Sequence, residues 1–302
     1  MAPERASSGA SAVDAVVFSA PARCCTYHPR LPNFSVGRIL AAGGVGAERV
    51  RAQLLLPDTA HPVGLVPPGR WRKAWSGRAH DAFGRDPSLN CPFWVDGTPL
   101  ACSIHREREA VCRTWHCRLS GGLRAQAAWN AAFQALAKVE KALAEWCVKE
   151  LDPDTFAADV AGFYLRSAER VAGATDAELA ALRTPGLTAL LEQVALRVGE
   201  RDGPMPERLQ PRIREWWRSG DTLALSSFSS LDREEVPGWI FELLSRLDGE
   251  RTWVTAIADT AAAGFPADEA LVRRLWRRGL LGPPEEAEIG GMRVSVSFVP
   301  AD

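Results

Sequence analysis

No stretch of this 302-residue chain approaches the roughly 20 consecutive apolar residues that span a bilayer, so no membrane helix is expected. Charge of one sign is not in excess either. With 36 basic and 37 acidic side chains the formal net charge is -1, and no global field draws the chain to nucleic acid or to an anionic membrane. The N-terminus, MAPERASSGASAVDA, lacks the basic stretch followed by an apolar stretch of a secretory signal, and residues 1–19 read as a flexible tail. A cytoplasmic location is expected. The common enzyme signatures are missing as well. No GxGxxG follows a strand, and neither a Walker A loop, HExxH nor GxSxG is present. The glycine-rich AAGGVGAER at 41–49 lacks the Lys-Ser/Thr of a phosphate loop. Acidic residues are abundant, but no pairing in the sequence singles one out. Seven cysteines are too few, and odd in number, for a secreted disulfide scaffold. In a reducing compartment, clustered thiols point to metal or redox chemistry instead.

What is present is a globular composition, 46% apolar and 24% charged, in two unlike halves. Residues 1–120 hold six of the seven cysteines and all five histidines. Helical periodicity is weak there, and RAQLLLPD and HPVGLVPPG read as short strands or extended segments broken by proline. From 121 onward the pattern is helical. SGGLRAQAAWNAAFQALAKVEKALAEWCVKELD is a long amphipathic helix with Trp129, Phe133, Leu136, Val139, Leu143 and Trp146 at helical spacing. DPDTFAADVAGFYLRSAERVAG has a capped start and gathers Phe156, Val160, Phe163 and Tyr164 on one face. TDAELAALRTPGLTALLEQVALRVGE is helical with a break before Pro185.

The C-terminal stretch reads as three short helices, WIFELLSRL, TWVTAIADTAAAG and FPADEALVRRLWRRGLL. MRVSVSFVP follows, placing Met292, Val294, Val296 and Phe298 on one side of a strand. This order is similar to a winged helix-turn-helix. Arg273, Arg274, Arg277 and Arg278 on the third helix suit a helix that enters the major groove. Glu285, Glu286 and Glu288 make the approach to the strand acidic, where a DNA-binding wing is usually basic. Leu271, Val272, Leu275 and Trp276 form the core face of that helix. The module is therefore expected to bind a protein or peptide partner rather than nucleic acid, or to serve as a structural cap.

The densest chemistry lies in CSIHREREAVCRTWHC, residues 102–117. Cys91, Cys102, Cys112 and Cys117 fall within a short span, with Cys24 and Cys25 upstream. Soft thiolates suit zinc, iron or an iron–sulfur cluster. The spacings form no CxxC pairs of a zinc ribbon and no bacterial ferredoxin run. On spacing alone, a metal site and a set of buried small hydrophobes both stand. His28, His105 and His116 are candidate imidazole ligands or ordinary surface and core residues. Arg106, Arg108 and Arg113 either offset thiolate charge and donate hydrogen bonds to it, or form a solvated face. Cys147 reads as core packing.

CSIHREREAVCR resembles the signature of the YkgJ-like zinc- or iron-chelating cysteine-cluster family, in which Cys, Ile or Val, Arg, Cys and Arg recur. Cys102, Ile104, Arg108, Cys112 and Arg113 fall on it, with His105 at the usual aromatic position and Glu109 in place of Pro. CPFW at 91–94 is similar to the family's Cys followed by apolar residues, and CC at 24–25 to the pair ending its first motif. That motif has further cysteines before the pair, whereas VVFSAPARCC has none, and Cys117 is a candidate for a missing ligand. The resemblance covers about residues 20–120 and does not extend to the helical half. A distant branch resembles flagellin lysine methylases. It implies a metal site built from Cys25, Cys91, Cys102 and Cys112, with Cys24 or Cys117 beside it. The implied cofactor is Zn2+ or an iron–sulfur cluster, 4Fe–4S if iron.

The expected architecture is mainly α. An irregular Cys-rich metal-binding region occupies 20–120, a helical body 121–233 and a winged-helix-like module 234–302. The leading functional expectation is a metal-binding protein that acts with a protein or peptide. The alternatives are an iron–sulfur enzyme that modifies a protein or peptide, and a DNA-binding regulator that senses metal or redox state.

Overall fold

The computed structural model describes residues 25–82, 86–95, 101–119, 122–228 and 233–284, with backbone only at 78–82, 101, 115–119 and 219. It is 58% helical and 12% strand, so the fold is mainly α. Among the described residues no helix is long and apolar enough to cross a membrane. In chain order, β1 (Leu31–Pro32), α1 (Asn33–Ala42), α2 (Gly44–Leu54), β2 (Ala60–His61), β3 (Gly64–Leu65) and α3 (Gly69–Ala82) come first. The cysteine stretch supplies β4 (Trp94–Val95), β5 (Ala101–Cys102) and α4 (Ala110–Leu119). The helical stretch supplies α5 (Gly122–Glu150), α6 (Asp154–Ala158), α7 (Val160–Ala172), α8 (Asp176–Ala181) and α9 (Pro185–Asp202). Then follow β6 (Gln210–Pro211), β7 (Glu215–Ser219), β8 (Thr222–Ser226), β9 (Glu234–Pro237), α10 (Ile240–Leu244), α11 (Trp253–Ala262), α12 (Glu269–Arg277) and β10 (Leu281–Gly282).

These elements form two compact units. One takes the described residues of 17–116 and 131–194, the other those of 117–130 and 195–284.

The first unit is built on the packing of α1 against α7. Leu31, Val36, Ile39, Leu40, Val50, Leu65, Phe93, Ile104, Phe163 and Tyr164 share its core. The two helices approach so closely that a Cβ on Gly37 would lie 1.9 Å from the carbonyl oxygen of Tyr164. Only glycine leaves room for that crossing. Buried Asn33 at the start of α1 donates to the carbonyls of Ala144 (2.9 Å) and Pro62 (3.0 Å). The Tyr164 hydroxyl donates toward the carbonyls of His61 (2.9 Å) and Gly64 (3.1 Å), which ties α7 to the β2–β3 turn. Such buried polar groups must be paired, and these are.

The expectation of an irregular N-terminal region is corrected here. Residues 33–54 form two helices, and RAQL is the last turn of α2 rather than a strand. Their apolar stripes are broken by Gly, Ala and Ser, yet Gly46, Ala47, Val50 and Gln53 are buried at helical spacing, and Pro57 follows the helix instead of interrupting it. HPVGLVPPG does hold two short antiparallel strands about a turn, with His61 opposite Gly64.

The long helix α5 forms as expected, but its most buried positions are Ala125, Ala128, Ala131, Ala135, Ala144, Trp146 and Cys147, and Leu136 is exposed. The expected single helix from Asp154 is two. Asp159 interrupts it and caps α7 by accepting from the backbone N–H of Gly162 (2.8 Å). The break before Pro185 is present, and Thr175 and Glu178 form a reciprocal capping box at α8.

In the second unit the three short helices of the C-terminal stretch are α10, α11 and α12. They pack on a three-stranded antiparallel sheet in the order β7–β8–β9, which the sequence reading had not anticipated. β8 and β9 pair across the expected division at 233/234, Leu223 opposite Val236, so residues on both sides of it share one core. At Gly122 the φ is +80° and a Cβ would meet the carbonyl of Arg278, so glycine is required where α5 starts against the end of α12. The expected strand at Met292–Phe298 lies outside the described residues.

Candidate functional site

Of the sequence-expected cysteines, Cys25, Cys91, Cys102 and Cys112 lie on several segments of the first unit, and Cys117 falls in the second. Cys91 opens a turn closed by Trp94 N–H donating to its carbonyl (3.0 Å), and its own N–H donates to the carbonyl of Cys25. Two strands then carry the chain back, with Trp94 opposite Cys102. Ser103 secures the hairpin by donating from its N–H (2.9 Å) and hydroxyl (3.0 Å) to the carbonyl of Phe93. Helix α2 braces it. Arg49 donates to the carbonyls of Pro92 and Trp94, and Gly46 leaves space for the carbonyl of Ser103. Cys112 lies in the first turn of α4. Cys91 and Cys102 are half-buried and pack against the apolar core.

The electrostatics of these thiols are consistent in direction. Burial pushes the Cys91 thiol up to about 12; Cys102 adds to the rise, while N–H groups at Phe93 and Trp94 and the Arg49 guanidinium oppose it. Burial also raises Cys112 well above the usual thiol range, and Glu109, Cys91 and Cys102 all push the same way. Cys91, Cys102 and Cys112 therefore stand within electrostatic reach of one another. Near neutral pH Cys91 and Cys112 are protonated thiols, and ionising one opposes ionising the other. Among the described residues, however, no three His, Cys, Asp or Glu side chains are grouped closely enough to hold a metal ion. Cys24 lies outside the described residues. Cys117 is on α4, with its side chain outside them.

Two carboxylates that the sequence reading did not single out meet at the start of α4. Buried Glu109 accepts from the N–H groups of Val111 (2.7 Å) and Cys112 (3.0 Å) and also hydrogen-bonds the Cys112 thiol. Glu140 on α5 accepts from the N–H of Ala110 (3.0 Å). Together they satisfy three of the backbone donors that a helix start leaves open, where the dipole favours negative charge. Burial nevertheless raises Glu140 to about 7, with Glu109 adding to the rise and Ala110 and Arg113 opposing it. Glu109, read as a departure from the family's proline, is a helix-capping acid beside a thiol.

The remaining expected residues fall differently. The Arg108 and Arg113 guanidinium groups donate to the carbonyls of His105, Arg108 and Arg106, so in the described contacts they brace the 105–108 turn rather than a thiolate. Arg106 is exposed, as is His105. His28 is fully engaged. The Pro29 carbonyl can only accept, so Nδ1 carries the proton, and Nε2 accepts from the Gln53 amide (2.9 Å). Burial holds this imidazole neutral, with its pKa lowered to about 4, and it packs edge-on to Trp71 and Phe93. Its nitrogens are used within the fold. His116 has its side chain outside the described residues. Cys147 is fully buried and donates to the carbonyl of Ser167 (3.7 Å), a core thiol as expected.

On α12, Arg273 pairs with Glu269, while Arg274 and Arg278 both reach the carboxylate of Glu234 (3.0 and 3.1 Å). The basic helix is thus largely neutralised within its own unit. Comparison with protein families, curated proteins and solved structures gave no match, so the resemblance to the cysteine-cluster family rests on the residues that carry it.

Proposed function

We propose that this chain is a cysteine-cluster metal protein of the YkgJ-like kind, binding zinc or an iron–sulfur cluster and acting with a protein or peptide partner. The observation that carries the reading is the mutual electrostatic coupling of Cys91, Cys102 and Cys112, with Cys25 joined to Cys91 through the backbone. Three coupled, desolvated thiols fit a cation because it reverses both penalties. It compensates their mutual repulsion as thiolates and replaces lost hydration with metal–sulfur bonds. Cys25, Cys91, Cys102 and Cys112 would hold the metal, drawn together from their spacing in the free chain, with Cys24 as a further candidate. Bound zinc would supply a structural tie or a Lewis acid; an iron–sulfur cluster would supply electron transfer.

The partner reading is supported by Glu234, which holds Arg274 and Arg278 within their own unit, and by Trp216, 41% exposed on β7. An iron–sulfur enzyme acting on a protein or peptide remains the alternative if the metal is iron.

Because Cys91 and Cys112 start protonated, zinc binding through them must expel a proton from each. Zinc titration of the chelator-treated full chain in weak buffer would read this directly. Proton release that falls in Cys91→Ser, with the fold intact by circular dichroism, supports the reading. Zinc binding without proton release overturns it.

A further inference from the structure

The four arginines of α12 divide between two faces. Arg274 and Arg278 share Glu234. Arg273 and Arg277, also four residues apart, instead line a cavity of about 580 Å³, together with Arg201 at the end of α9. The cavity lies within the second unit and shares no residue with the cysteine cluster. Among the described residues its walls offer a single carboxylate, Asp202, and that one already binds Arg201 side-on through two contacts of 2.8 Å. Arg273 is held by Glu269, whereas Arg277 makes no ion pair among the described residues. Like charges four apart on a helix oppose each other, and an anion between them removes that opposition.

Part of the lining is apolar. Pro204, Met205 and Ala125 lie along it, while Trp276 is buried in the core with the guanidinium of Arg124 stacked over its ring at 3.3 Å from the centroid. The volume falls in the range of small-molecule sites, roughly 300–1,000 Å³. Arginine forks match planar oxyanions through paired hydrogen bonds, and Pro204 and Met205 beside them give an apolar wall.

We infer that this cavity binds a small organic anion with a compact apolar body and a carboxylate or phosphate head. Arg277 and Arg273 would grip the head, and Met205 and Pro204 would line the body.

The test is calorimetric titration of the full chain with benzoate and with phenyl phosphate, at low and high salt. Inorganic phosphate and benzyl alcohol stand for the head and the body alone. At least one aromatic anion should bind saturably and more weakly as salt rises. Which one binds better distinguishes carboxylate from phosphate. Each half-molecule should bind at least about tenfold more weakly, and Arg277→Gln should lower affinity about tenfold, the loss expected for one charge-assisted contact. Its melting temperature should stay at the wild-type value, because no described ion pair is broken. Arg277→Lys, which keeps the charge but not the fork, should fall between the two. No saturable binding of either aromatic anion, unchanged affinity in Arg277→Gln, or benzyl alcohol or inorganic phosphate binding as tightly as the aromatic anions would each overturn the inference.

Discussion

Glu140 holds its proton to about pH 7 because burial outweighs the N–H of Ala110, and the Glu109 carboxylate pushes the same way. Its ordinary value is 4.5, so between pH 4.5 and 7 the folded chain binds more protons than the unfolded chain at this position. Stability at this position therefore falls as pH rises through that window and levels off above it. Glu140→Gln keeps an oxygen for Ala110 and removes the titration. With a discount for the part of the carboxyl that water screens, the variant should be more stable than wild type by about 1–2 kcal/mol at pH 8. The difference should vanish below about pH 4.5, and urea unfolding across that range checks it. His28 works in the opposite direction. Kept neutral down to about pH 4, it withdraws stability as pH falls from 6.5, when the unfolded chain takes up the proton first. At this scale the sequence showed the cysteines and left the acids hidden. Glu109 and Cys112 are near neighbours in the chain, but Glu140 joins them only through the packing of α5 beside α4, which no local pattern encodes.

Among the elements, α1 and α7 carry the clearest prediction. Gly37→Ala places a methyl on the backbone carbonyl of Tyr164, which cannot swing aside as a side chain could. The loss should be at or above the upper end of the roughly 1–3 kcal/mol typical of overpacking, read from the denaturant midpoint at constant slope. A second prediction concerns α12. Glu234→Gln frees Arg274 and Arg278 together, and should cost about 1 kcal/mol while creating salt-sensitive binding to duplex DNA that wild type lacks. The full chain is the right sample for fluorescence anisotropy, because β9 pairs with β8 and a fragment beginning at 234 would lose that sheet. Steep salt-dependent binding by wild type would restore the regulator reading.

Long helices with strong periodicity, α5 above all, were legible in the sequence. α1 and α2 were not, because their buried faces mix Phe34, Val36, Ile39, Leu40 and Val50 with Gly, Ala, Asn, Ser and Gln. The short strands β7 to β9 carry too few residues for a period to register, and the hairpin turn at Gly220, with φ +59°, was their best local signal.

Over the whole molecule, the chain passes from one unit to the other within α5 and again within α9, so the two units are not consecutive domains. The first unit holds Cys25, Cys91, Cys102 and Cys112 on segments far apart in sequence, with more than sixty residues between Cys25 and Cys91. Closing so long a loop costs entropy that a metal tie would offset, which couples metal binding to the stability of this unit. The division into units could not be read from composition, since the shift near residue 120 marks where helices become long rather than where a core ends.

The central claim is tested most directly by metal and sulfide analysis, with a visible spectrum, of the full chain purified without oxygen. Cys91→Ser, Cys102→Ser and Cys112→Ser would be treated alike. Zinc or iron at a constant ratio to wild-type protein, and reduced in all three variants, is the predicted result. Wild-type protein that stays metal-free after exposure to zinc, and to iron with sulfide, would contradict it, as would equal metal in wild type and variants.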